Sequence, residues 1–225
     1  MRVHRLFKYG VALAGFSIVS SPYLQAQQRQ DAPLIVVRTC SGCHELDGQS
    51  QLPYIPRVAG LSAVYSERKL ASFQAAPAWP VDEAVRWIVH SGGKDPGFTR
   101  PAVANMLGIA HAVSEADLKA AVQWYASQTP APGRAAKPKL FEAGKNVFTN
   151  GFESQGLKAC QTCHGIGAQG NDRAPRLAGQ NAEYVVNQLA LFRTADPRCA
   201  PEMVAVAKNL QLDQARAVAI YLQSR

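Results

Sequence analysis

The segment Cys40-Ser41-Gly42-Cys43-His44 returns later in the chain as Cys160-Gln161-Thr162-Cys163-His164. In each copy two thiols stand three positions apart, and a histidine follows the second thiol at once. One turn of backbone can therefore present two thiols and one imidazole to a single planar group. The pattern occurs twice in a chain of 225 residues, so each half of the sequence has one copy.

This spacing is typical of covalent haem attachment, in which each thiol adds across a haem vinyl group and the histidine binds iron. We therefore predict two covalently bound haem c groups, one at Cys40, Cys43 and His44 and one at Cys160, Cys163 and His164. Two alternatives compete with this interpretation: a disulfide within each pair, or one zinc ion shared by both pairs. Haem is favoured because neither a zinc ribbon nor a redox CxxC pair needs the histidine in that place.

The repeat extends well beyond the five-residue motif. Pro56-Arg57-Val58-Ala59-Gly60 in the first copy matches Pro175-Arg176-Leu177-Ala178-Gly179 in the second, and the same aromatic and aliphatic spacing follows each. A metal-bound imidazole usually donates its other N–H to a carbonyl or carboxylate. The carbonyl groups of Pro56 and Pro175 are therefore candidate acceptors, unless these prolines serve only to rigidify their loops.

Helical periodicity dominates both halves, and no convincing strand alternation occurs. Helices are predicted after the N-cap candidates Ser62 and Asn181, and a capping box at Ser114 predicts a later helix whose counterpart begins near Asp213. Each half should run helix, cysteine motif, loop, helix, irregular stretch, helix. Residues 129–138 have linker composition. The first half alone carries about twenty extra residues, including 79–93, with a further short helix expected over 82–90.

The predicted domain boundaries follow from this organisation. Residues 1–26 combine an early basic segment with an apolar run too short to span a bilayer, which indicates a secretory signal peptide; an uncleaved anchor is the alternative. Domain 1 is predicted over 27–128, a linker over 129–138 and domain 2 over 139–225. No later segment is long and apolar enough to cross a membrane. Peripheral membrane association stays open.

The sixth iron ligand decides whether a haem only carries electrons or also binds small molecules. Two methionines follow the predicted signal peptide, Met106 and Met203, and each stands shortly before the last helix of its half. A thioether opposite histidine raises the reduction potential of a haem, so we predict these two as axial ligands. His90 and His111 are alternatives to Met106 in the first half. Without any sixth ligand, the first haem could bind a small ligand.

Composition and net charge indicate which class of macromolecule the protein binds. The formal net charge is +8, of which three positive residues lie in the predicted signal peptide, and the remaining excess lies in residues 134–225. Such an excess could favour an acidic protein partner. Nucleic acid is not expected, because no basic cluster with interleaved aromatic residues occurs. Cys199 precedes Met203 by four residues and is interpreted as a buried hydrophobe or as a thiol for an intermolecular disulfide.

The second half resembles dihaem cytochromes of the cytochrome c4 type. The resemblance is carried by Gly144-Lys145, the segment 159–165, Pro175 to Gln180, Tyr184, Gln188-Leu189, Phe192-Arg193 and Met203. It implies an all-α protein of two tandem class I cytochrome c domains joined by a Pro-rich linker. It also implies His/Met ligation of both haems, a periplasmic location, and electron relay from a quinol-oxidising complex towards a terminal oxidase. The insertion and the sequence around Met106 depart from the family pattern.

We therefore expect an electron carrier without catalytic residues, whose partners are other redox proteins. A first alternative is the cytochrome subunit of a periplasmic flavin- or quinone-dependent dehydrogenase, since a similar dihaem chain serves flavin-containing sulfide dehydrogenases. A second alternative is a haem enzyme with an open site at the first haem. The presence or absence of a sixth iron ligand at the first haem decides between a carrier and such an enzyme.

Overall fold

A computed structural model describes residues 29–75, 99–193 and 200–225, and the side chains of 99–104 lie outside that description. The described residues form helices and connecting loops with no strand, which confirms the all-α prediction. Residues Ala32–Arg225 form one compact unit. The predicted signal peptide, the helix expected over 82–90, His90 and Cys199 fall outside the described residues.

The helices of the first half frame its cysteine motif. Ser62 accepts a hydrogen bond from the Tyr65 amide, and Ser114 accepts one from the Asp117 amide, so both caps predicted for this half are present. These hydroxyls satisfy amide groups that have no partner within the first turn of a helix. In chain order the elements are a π-helical turn Val36–Cys40, α1 Ser41–His44, α2 Ala63–Gln74, α3 Thr99–Ala112 and α4 Glu115–Ser127.

The second half repeats this order, with a longer helix leading into its motif. Its core lies where that helix crosses the last one: Phe148 is fully buried, and its ring centroid lies 5.5 Å from that of Tyr221. Gly144 lets the two helices approach closely, because a Cβ there would lie 2.0 Å from the Ala217 carbonyl oxygen. The elements are α5 Pro138–Asn150, a 3₁₀ turn Glu153–Gln155, α6 Gln161–His164, α7 Ala182–Arg193, α8 Pro201–Lys208 and α9 Leu212–Gln223.

The stretch before the last helix of each half differs from the prediction. We expected irregular chain there, but the structure has α3 in the first half and α8 in the second. Pro101 and Pro201 resemble helix breakers in the sequence. Each lies in the first turn of its helix, where proline is tolerated because its missing N–H would have no helical partner.

The loops that follow the two histidines close in the same way. The Gly48 carbonyl accepts from the Val58 and Ala59 amides at 2.8 and 3.2 Å. At the matching place, the Ala168 carbonyl accepts from the Leu177 and Ala178 amides at 2.8 and 3.0 Å. Gly48 and Ala168 both have positive φ, 75° and 55°. The sequence repeat is therefore also a repeat of loop geometry.

The two halves meet through buried polar contacts near these loops. The Arg57 guanidinium donates to the Gly179 carbonyl at 2.9 Å, and the Asn181 side chain donates to three carbonyls of the first half, those of Ser50, Leu52 and Ile55. At the surface, the Arg68 guanidinium of the first half also donates to the Asp172 carbonyl of the second, at 2.7 Å. Buried polar groups need such partners, so these contacts fix how one half lies on the other.

Candidate haem sites

Each histidine of the two motifs is buried and oriented by a backbone carbonyl. His44 Nδ1 lies 3.0 Å from the Pro56 carbonyl oxygen, and His164 Nδ1 lies 2.9 Å from that of Pro175. A carbonyl can only accept, so Nδ1 carries the hydrogen and Nε2 has the free electron pair. Burial lowers the pKa of both imidazoles, against a smaller opposing effect of these hydrogen bonds. Both rings are therefore neutral with Nε2 available, the form that binds iron.

The four motif thiols lie beside these imidazoles at the ends of short helices. Cys40 and Cys160 are half-buried, Cys43 and Cys163 are exposed, and none of the four is paired in a disulfide. Burial raises the pKa of Cys40 and Cys160 to about 11. A lowered thiol pKa is typical of a redox-active CxxC pair, and Cys40 and Cys160 show the opposite shift.

The zinc alternative finds no support in the described part of the chain. No group of three or more His, Cys, Asp or Glu side chains there is arranged to hold a metal ion. Two CxxC pairs would have to converge on one point to share zinc. Each pair instead lies beside its own histidine and its own loop.

Side chains of α4 hold the backbone that follows His44. The Trp124 indole N–H donates to the Leu46 carbonyl at 2.7 Å, and the Tyr125 hydroxyl donates to the Glu45 carbonyl at 3.0 Å. The Tyr125 ring also meets the His44 ring edge-on, with centroids 6.2 Å apart. The last helix of the first half therefore holds the backbone that directly follows the first motif.

In each half a further side chain binds the motif backbone and was not singled out from the sequence. The Ser50 hydroxyl donates to the Cys43 carbonyl at 2.7 Å, and the Asn171 amide donates to the Cys163 carbonyl at 2.9 Å. Both residues lie in polar loop segments whose sequences differ between the copies. The repeat therefore gave no signal for them.

The predicted distal ligands lie on equivalent elements. Met106 is on α3 and Met203 is on α8, and both side chains are half-buried. Each helix directly precedes the last helix of its half. His111, the alternative to Met106 among the described residues, is exposed in the last turn of α3.

A half-buried guanidinium next to Pro175, with a buried Nε, fits the acidic groups of a haem. Arg176 Nε is buried and has no hydrogen-bond partner among the described residues. Burial also lowers the pKa of Arg176. A carboxylate would accept a hydrogen bond from Nε and would oppose the lowering of the Arg176 pKa, since a buried charge needs a partner of opposite sign. Haem carries two propionate carboxylates, so Arg176 is a residue that would hold one of them.

Relatives of the chain identify it. Cytochrome c4 of Azotobacter vinelandii is 32% identical over 189 residues, which cover 82% of this chain and 83% of that protein. The chain belongs to the cytochrome c4 family. A crystal structure of reduced recombinant cytochrome c4 from Pseudomonas stutzeri superposes with a TM-score of 0.67 at 30% identity, over 89% of this chain and 97% of that one. No family model matches the chain.

This cytochrome c4 homologue carries two covalently bound haem c groups and functions in electron transfer. It is also similar to a protein named thiosulfate dehydrogenase electron acceptor from Stutzerimonas stutzeri strain A1501. That protein is 28% identical over 189 residues, 81% of this chain and 76% of its own length. Across the described helices, none is long and apolar enough to cross a membrane.

Proposed function

We propose that this cytochrome c4 homologue is an exported periplasmic carrier that relays single electrons. Its donor would be a component of the respiratory chain, either a quinol-oxidising complex or a respiratory dehydrogenase, and its acceptor would be a terminal oxidase or another redox protein. One observation carries the proposal: two buried, neutral imidazoles stand in equivalent loops of a single compact unit, each with Nε2 left for iron. The export signal would be residues 1–26. The two haem domains would span 27–128 and 139–225, joined by residues 129–138.

In this proposal His44 and Met106 would bind the iron of the first haem, and His164 and Met203 would bind that of the second. When bound, each haem supplies one-electron chemistry at its iron. The chain holds each imidazole in one tautomer and one orientation, and a thioether ligand to the same iron would favour the ferrous state. Anchoring would come from Cys40, Cys43, Cys160 and Cys163.

The exposed side chains around the second motif support direct contact with a protein partner at this place. Cys163 is exposed, and Ile166, two residues after His164, is 80% exposed. An apolar side chain at such a place gives a partner a desolvated contact close to the haem edge. The basic excess of residues 134–225 would steer an acidic partner towards the same half.

A dehydrogenase-linked role is the second candidate, and the similarity to a thiosulfate dehydrogenase electron acceptor favours it. In that role the chain would take electrons from one dedicated catalytic partner rather than from a respiratory complex. Stopped-flow reduction by a purified thiosulfate dehydrogenase, compared with reduction by a quinol-oxidising complex, distinguishes the two. Faster reduction by the dehydrogenase at equal concentrations would support the second candidate.

Optical and paramagnetic resonance spectra of the purified ferric protein test the ligand assignment. Both haems should be low-spin and show the weak near-infrared band of methionine-ligated iron. Met203→Ala and Met106→Ala should each convert one haem to a high-spin form and remove about half of that band, because the sulfur is a strong-field partner of histidine.

Unchanged spectra in Met106→Ala would refute the assignment for the first haem. A high-spin haem in the wild-type protein that binds cyanide would instead support an enzyme with an open first site.

A further inference from the structure

One peptide group joins His44 to the other half of the molecule. The carbonyl of the Pro56–Arg57 peptide accepts from His44 Nδ1 at 3.0 Å. The N–H of the same peptide donates to Gln180 Oε1 at 2.8 Å. A trans peptide is planar, with its C=O and N–H pointing in opposite directions. The Gln180 side chain therefore fixes the orientation of the carbonyl that holds His44.

Further bonds from the second half make this arrangement rigid. Gln180 Nε2 donates to the Arg57 carbonyl at 2.9 Å, so one amide side chain binds both backbone groups of Arg57. The preceding carbonyl, that of Ile55, accepts from Asn181 Nδ2 at 2.9 Å. Gln180 is 5% exposed and Asn181 is 1% exposed. Both peptide groups next to Pro56 are thus held by buried side chains from the other half.

The second histidine is not held in this way. In the repeat, the position of Gln180 is occupied by Leu61 in the first half, and an aliphatic side chain cannot accept a hydrogen bond. The loop before Pro175 is bound from both halves: Asn171 Oδ1 accepts from the Arg173 and Ala174 amides at 2.8 and 3.0 Å, and the Arg68 guanidinium of the first half donates to the Asp172 and Arg173 carbonyls. Among the described residues, however, no side chain of the first half binds the Pro175–Arg176 peptide itself, whereas Gln180 of the second half binds the Pro56–Arg57 peptide.

The hydrogen bond from the Pro56–Arg57 peptide to Gln180 acts on the first haem through His44. An amide whose N–H is hydrogen-bonded is polarised, which strengthens its carbonyl as an acceptor. A stronger acceptor at Nδ1 makes the imidazole more electron-rich at Nε2, and a more electron-rich ligand stabilises ferric iron. We propose that Gln180, supported by Asn181, is a positioning residue that lowers the reduction potential of the haem at His44. The proposal rests on His44 being an iron ligand.

The test compares the two midpoint potentials of the full-length holoprotein in wild type and Gln180→Leu. The first-haem potential should rise while the second-haem potential stays unchanged. By paramagnetic NMR, the His44 Nδ1 proton should exchange faster with solvent in the variant than in wild type, and the His164 Nδ1 proton at its original rate. A merely structural role for Gln180 would lower stability without this selective change.

Gln51→Leu is the matched control. Gln51 lies in the same first-half loop and its side chain accepts from Arg134 at 2.6 Å, but it makes no hydrogen bond to the Pro56–Arg57 peptide among the described residues. Both potentials should stay unchanged in this variant. If Gln180→Leu does not accumulate in folded form, Gln180→Asn keeps an amide on a shorter chain and should give a smaller rise at the first haem only.

Equal movement of both potentials, or no movement of the first, would overturn the positioning role. The ligand assignment fails separately: a wild-type spectrum without a hyperfine-shifted His44 ring would refute His44 as the iron ligand. Such a result would be visible before any Gln180 variant is made. The two failures are therefore distinguishable.

Discussion

Replacing Gly144 by alanine should separate the first and last helices of the second half. A Cβ at this position would lie 2.0 Å from the Ala217 carbonyl oxygen, about 1.4 Å inside ordinary contact, and 2.7 Å from Tyr221 Cβ. Overpacking a well-filled core costs about 1–3 kcal/mol, occasionally more. The obstacle here is the backbone of the facing helix, which cannot rotate away, so we expect a loss of about 3 kcal/mol or more.

Urea unfolding of the holoprotein, followed by haem absorbance, measures this loss. With a denaturant slope of about 1–3 kcal/mol per molar urea, the midpoint should fall by about 1–3 M. Gly108→Ala is the control, because Gly108 lies in α3 and an added Cβ there meets nothing within 4 Å. That variant should gain about 0.5–1 kcal/mol from helix propensity. An unchanged midpoint for Gly144→Ala would refute the close crossing of α5 and α9.

Three further predictions concern the core, the first motif and the partner. Phe148→Ala should cost about 3–5 kcal/mol because the side chain is fully buried against Tyr221, whereas Leu212→Ala, at an exposed position, should stay within about 0.5 kcal/mol. Tyr125→Phe should cost about 1 kcal/mol, since it removes the donor to the Glu45 carbonyl; equal urea midpoints would contradict that role. Electron transfer with an acidic partner should slow as salt rises, and a rate independent of salt would contradict electrostatic steering.

Local signals in the sequence predicted much of the fold. The caps at Ser62 and Ser114 were predictable because a hydroxyl and the amide that it accepts from lie three residues apart. The two motifs and the repeat predicted equivalent loops, and the loops close identically on Gly48 and Ala168. In each of these cases the deciding interaction lies within one half of the chain.

Interactions between distant residues were not predictable in the same way. The bond from the Arg57 amide to Gln180 spans 123 residues, and no periodicity or spacing rule connects them. The sequence does contain one signal of this contact. Leu61 and Gln180 occupy the same position of the repeat and differ in type, although the residues before them match. The helices α3 and α8 were missed for a different reason: proline early in a helix resembles a breaker unless its position in the first turn is known.

The central claim is that each of the two motifs binds one haem covalently. The number of haem groups attached to the chain tests it most directly. Intact-mass spectrometry of the purified, denatured protein should show the mature chain carrying two haem groups that survive acid–organic extraction. The double variant Cys40→Ser, Cys43→Ser should retain one haem, with the low-spin spectrum of the His164 site unchanged. A wild-type mass with fewer than two haems, or a double variant that still carries two, would contradict the account.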